Sequence, residues 1–134
     1  MRHGLAQASI PLGDEHSWEE LESKFVDVIG ELLARALARL EEGDPGDPQE
    51  GEGSYYSFFE PEYVRIDWSK DSVEISRQVR AWRFASRRDA VEHGALAEIE
   101  GETVRVLRVS LEPTEGRPME TGDGTIWIVD TEPA

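Results

Sequence analysis

The sequence predicts an α+β fold: a long N-terminal helix, a linker, a second helix and a small set of antiparallel strands. Three observations predict it. Apolar residues recur every three or four positions across residues 17–42; residues 43–53 are dominated by Gly, Pro and acids; and the last third of the chain breaks into short β-prone runs between glycine turns. The length, 134 residues, fits one ordinary domain with a modest core.

The first helix is expected over SWEELESKFVDVIGELLARALARLEE, residues 17–42. Ser17 and Glu20 have capping-box spacing, and Glu19 with Glu20 suits the positive end of the helix dipole. Leu21, Phe25, Val28, Ile29, Leu32, Leu33, Leu37 and Leu40 make one broad apolar stripe, and Gly43 stops it. A stripe this long must be covered. Association through Leu21, Phe25, Val28, Leu32, Leu33 and Leu37, as a homodimer or with a partner protein, is therefore expected. The segment 44–53 reads as an acidic Gly/Pro linker that divides residues 1–43 from residues 54–134. After it, SYYSFFEPEYVRI (54–66) is aromatic and β-prone, broken by Pro61, and its aromatics are expected to pack.

A second helix should begin near Ser69 or Asp71 and run to about Phe84. Asp71 and Glu74 have capping-box spacing, and Ile75, Val79 and Trp82 share the face that packs. Strands are expected over ALAEIE (95–100), TVRVLRVSL (103–111) and TIWIVDT (125–131). Gly101-Glu102 closes the first hairpin, and Gly122-Asp123-Gly124 makes the last turn.

Composition limits the chemistry. With no cysteine, disulfides, thiolate metal sites and a cysteine nucleophile are excluded. No stretch approaches the ~20 apolar residues of a membrane span, and MRHGLAQASIPL is not a signal peptide, so a cytoplasmic location is the default expectation. His3, His16 and His93 are scattered without metal-ligand spacing, and Gly122-x-Gly124 lacks the third glycine and following helix of a dinucleotide motif. Neither catalytic residues, nor metal ligands, nor a cofactor are indicated.

The formal net charge is −15, which disfavours RNA on average. One stretch runs the other way. Lys70, Arg77, Arg80, Arg83, Arg87 and Arg88 face only Asp71 and Glu74 between residues 70 and 88, giving +4 locally and −19 elsewhere. Two readings of this cluster stand: a face that binds an anionic ligand, RNA or a partner, and arginines paired with acids of the same chain.

Several segments together resemble the end of methionyl-tRNA formyltransferase and related folate-dependent formyltransferases. Gln7-Ala8-Ser9-Ile10-Pro11-Leu12 followed by Asp14 is similar to the last strand and loop of that family's catalytic domain, and residues 21–43 to its closing helix. Arg65-Ile66-Asp67-Trp68-Ser69-Lys70, then Glu74-Ile75 and Arg80-Ala81, resembles the start of the family's C-terminal domain. Gly94–Leu111 resembles its first hairpin and Thr121-Gly122-Asp123-Gly124 its last turn. The resemblance implies that residues 54–134 form a small OB-like antiparallel barrel preceded by a helix, of the kind that helps hold the tRNA acceptor arm. The family's catalytic Asn, His and Asp motifs have no counterpart here. LEPTEGRPMETGDG passes from one strand to the final turn where the family usually has another hairpin, so a shortened barrel is expected. The implied function is a non-catalytic binding or accessory module. The alternatives are a subunit completing a divided formyltransferase, and a degenerate structural or interaction protein.

Overall fold

In the computed structural model, residues 3–55, 60–85 and 94–134 are described, the side chains of residues 84 and 85 aside. The chain divides into two compact units, Met1–Ser57 and Phe58–Ala134.

The first unit is built on α1, Trp18–Glu41. Ser17 accepts a hydrogen bond from the Glu20 backbone at 3.2 Å, and the Glu20 carboxylate accepts from the Ser17 N–H at 2.7 Å. That reciprocal pair is the capping box the sequence spells, and it holds the Glu20 carboxyl below its usual range. At the other end Gly43 adopts φ 73°, the left-handed conformation that glycine enters without a Cβ clash. The segment after α1, expected as linker, is folded back in part. Arg39 donates to Asp44 at 2.6 Å, to Asp47 at 2.8 and 3.0 Å, and to the Leu5 carbonyl at 2.7 Å. Around this guanidinium β1 (His3–Gly4) pairs antiparallel with β2 (Asp47–Pro48). One arginine, not singled out by the sequence patterning, ties both ends of the unit to the helix.

The second unit opens with a single 3₁₀ turn, Pro61–Val64, where the sequence suggested an extended segment. Proline at the first position of that turn supplies a helical φ and lacks only an N–H that would be unpaired anyway. One parallel bridge follows, Arg65 with Leu96, in which the Ile66 N–H donates to the Leu96 carbonyl at 2.8 Å. Next comes α2, Ser72–Ala85. Four strands complete the unit: β3 (Ala95–Ile99), β4 (Glu102–Ser110), β5 (Arg117–Glu120) and β6 (Thr125–Pro133), in the antiparallel order β3-β4-β6-β5.

The β3–β4 turn is Glu100-Gly101, one residue earlier than the sequence suggests; both residues have positive φ, 54° and 85°. That is the geometry whose twist suits a two-residue hairpin. Strand β5, paired with β6, supplies the hairpin that the sequence was expected to lack. It escapes the pattern because Met119 is its one apolar side chain apart from Pro118. Between β4 and β6 the register shifts on either side of Arg108, leaving Leu107 and Val129 without direct partners. Such bulges bend a sheet, and here they curl it into the OB-like half-barrel.

The core of this unit joins Ile75 and Val79 of α2 to Ala95, Ala97, Val106, Ile126 and Ile128 of the sheet, with Ile66 alongside. Trp68, Trp82, Val104 and Met119 pack around it. The α2 face anticipated from Ile75, Val79 and Trp82 is the face that packs. Among the described residues, no helix is long and apolar enough to cross a membrane.

Candidate functional site

The cationic candidates gather on α2 but not on one line. Lys70 precedes the helix, exposed, with its ammonium 3.3 Å from Glu74. Steps of three residues turn a helix by 300°, so Arg77, Arg80 and Arg83 retreat by about 60° per step. Arg77 is exposed, while Arg80 and Arg83 are half-buried towards the packed edge. Lys70 and Arg77 thus face solvent outright, and Arg80 and Arg83 border the core. Arg87 and Arg88 lie outside the described residues.

The first turn of α2 is where the second unit is knitted together. Asp71 accepts from the Glu74 N–H at 2.7 Å, the local cap foreseen from spacing. A second carboxylate reaches the same turn from 51 residues away: Asp123 accepts from the Ser72 N–H at 2.8 Å and from the Ser72 hydroxyl at 3.4 Å. Thr121 braces that carboxylate, donating its hydroxyl to Asp123 at 3.0 Å. The Gly122 N–H donates to the Lys70 carbonyl at 2.8 Å. Gly122 has no room for a side chain, because a Cβ there would run into the Ser69 carbonyl oxygen. Asp67 in turn accepts from the Ser69 N–H at 3.0 Å and its hydroxyl at 2.7 Å, fixing the bend before the helix.

These bonds lower the carboxyl pKa values. Asp67 is held down by the Ser69 hydroxyl and backbone, and Asp123 by the Ser72 backbone and the Thr121 hydroxyl. The two segments most characteristic in sequence, residues 65–70 and residues 121–124, therefore meet in space as a latch. Its chemistry is structural. The positive end of the α2 dipole, a natural anion site, is already occupied by Asp71 and Asp123.

A second clamp was not legible. Gln78 is 6% exposed, in the middle of the apolar stripe of α2. Its amide donates to the Tyr63 and Arg65 carbonyls, and the Trp82 indole also donates to Tyr63, at 2.8 Å. Helix α2 thereby holds the chain entering the domain. The available signal was a lone amide between Ile75, Val79 and Trp82, where a stripe calls for an apolar residue.

The α1 candidates separate into two rows. Leu21 is buried, and Phe25, Val28 and Leu32 are half-buried within their unit. Leu33 and Leu37 belong instead to an open row with Val26, Ile29 and Leu40, each 51–63% exposed. Tyr55, expected to pack, is 89% exposed, whereas Tyr63 is half-buried with its ring 6.4 Å from that of Trp82; the aromatics at positions 56, 58 and 59 lie outside the described residues.

The chain is similar to known proteins. A family model described as "Formyl transferase, C-terminal domain" matches residues 59–134. Methionyl-tRNA formyltransferase of Ruegeria pomeroyi is 30% identical over 125 residues, which cover 92% of this chain and 39% of that protein. The enzyme of the same name from Paracoccus denitrificans is 26% identical over 137 residues, 96% of this chain and 43% of that protein. The chain therefore spans about two fifths of the length of these relatives. Among solved structures, a HypX variant from Aquifex aeolicus superposes with a TM-score of 0.68 at 21% identity, covering 92% of this chain and 24% of that one. At that identity the likeness is one of fold.

Proposed function

The chain belongs to the formyl transferase C-terminal domain family, and from that premise we propose that it works as a non-catalytic recognition module, binding an anionic ligand of the RNA class beside a formyl-transfer reaction. The observation that carries this reading is the rigid mounting of α2. Lys70 and Arg77 stand in solvent on a helix whose first turn is latched by Asp71 and Asp123 and whose middle is clamped through Gln78. A rigid element that carries cations positions them against a phosphate backbone without ordering them first. The relatives bear the name methionyl-tRNA formyltransferase, which makes a tRNA acceptor stem the natural probe, and the reading places the module in the cytoplasm.

The test is fluorescence anisotropy with a labelled acceptor-stem minihelix across a salt series. Affinity should fall steeply with salt, and Lys70→Gln with Arg77→Gln should lower the slope of log K against log salt by about 2, near one per phosphate contact. Binding that ignores both salt and the double substitution rejects the assignment.

The open row on α1 favours a second reading, in which the module operates attached to another chain. Val26, Ile29, Leu33, Leu37 and Leu40 present an apolar face along a helix of about 36 Å. A face of that extent fits a second copy or a separate chain that supplies the rest of a divided formyltransferase. Light scattering should report a mass above 15.1 kDa, or a stable complex with such a chain. Leu33→Glu with Leu37→Glu should return the monomer without loss of helical circular dichroism.

A further inference from the structure

The curled sheet is not closed, and its opening has a definite character. Strand β6 runs for nine residues, Thr125–Pro133, but β5 pairs only with Thr125 to Ile128. From Val129 to Glu132, no strand among the described residues occupies the outer edge of β6. The other two sheet edges are blunted in familiar ways. The outer edge of β5 is four residues long and contains Pro118, and β3 is engaged at Leu96 by the Arg65 bridge.

Beside the open edge lies a cleft of about 380 Å³, within the size range of small-ligand pockets. Ile99, Val104 and Ile128 give it apolar walls, and Glu100, Glu102 and Asp130 supply carboxylates. Among the described residues the one cation lining it is Arg117, which donates to Glu100 at 2.6 Å. Glu102 and Asp130 have no ion-pair partner among the described residues. The walls therefore combine apolar surface with two carboxylates that have no ion-pair partner among the described residues, next to main-chain groups that no described strand uses. An extended segment with a cationic side chain satisfies all three at once.

We propose that this cleft is a docking site for an extended peptide segment of a partner protein, carrying one lysine or arginine. Its main chain adds to β6 along Val129–Glu132 in the manner of strand addition. The aliphatic stem of the basic side chain lies on Ile99, Val104 and Ile128, and its charged end meets Glu102 and Asp130. The site is distinct from the cationic surface of α2 and opposite to it in sign, so the module would hold an anion on one element and a basic segment on another.

The probe is an end-capped octapeptide of alternating Thr and Val with one central Lys, titrated into the full ¹⁵N-labelled chain. Amide shifts are expected to concentrate at residues 99–104 and 128–132. A twin peptide with Glu in place of Lys should bind about tenfold weaker or less tightly still, as should the original peptide to a Glu102→Gln, Asp130→Asn protein. That protein should keep its melting temperature, since neither side chain has an ion-pair partner among the described residues. A twin with alternate backbone nitrogens methylated should not bind, because it cannot pair with the strand. Shifts absent at millimolar peptide, shifts centred elsewhere, or equal binding of the Glu twin would each overturn the proposal.

Discussion

At the scale of the residue, three side-chain positions carry the second unit. Gly122→Ala forces a methyl against the Ser69 carbonyl; melting should show a loss of about 1–3 kcal/mol, the range of an overpacked contact. Gln78→Leu keeps the volume but removes the amide donor from the Arg65 and Tyr63 carbonyls. Denaturant titration should show about 1–3 kcal/mol lost, the cost of an unsatisfied buried group. Asp123 gives a pH signature. Its folded pKa lies below the ordinary Asp value, so its contribution is complete above about pH 4 and fades as pH falls through the folded pKa. Melting temperature should drop on acidification below pH 4, and Asp123→Asn should flatten part of that drop. The sequence showed Asp123 only as a turn former. Its partner Ser72 could not be read, because a bond across 51 residues leaves no local periodicity.

At the scale of the element, legibility followed the strength of the local signal. Helix α1 was readable to the residue because Ser17, Glu20 and Gly43 all act within their own turns. The β3–β4 hairpin was off by one because Gly101 allows either of two turn frames, and pairing of Ile99 with Glu102 decides between them. Glycine at φ 85° there makes Gly101→Ala costly by about 1–2 kcal/mol, the left-handed penalty of a Cβ. Strand β5 was invisible, since it is specified by its partner β6 rather than by its own side chains. Helix α2 shows both behaviours: Ile75 and Val79 announced its buried face, but Gln78 among them did not announce its clamp. Ile75→Ala should lose about 2–5 kcal/mol and be the most damaging truncation on that helix, which equilibrium unfolding would rank directly.

At the scale of the whole molecule, the two units answer to different physics. Every residue of the buried cluster of the second unit lies between Ile66 and Ile128, so the fragment 58–134 should unfold cooperatively by itself, with Trp68, Trp82 and Trp127 reporting one transition. The first unit has only Leu21 fully buried along α1, and its open row leaves Leu33, Leu37 and Leu40 more than half exposed. Of the two proposed surfaces, charge counting named the residues of one, Lys70 and Arg77, whereas the cleft beside β6 arises from a strand pairing that ends early and has no signature in the residues themselves. The latch at α2 also sets a clock. Ser72 is synthesised long before Asp123, so the second carboxylate cap of the helix becomes available only once residues 121–124 have been made. Full capping of the cationic helix therefore requires the β5–β6 hairpin to be in place.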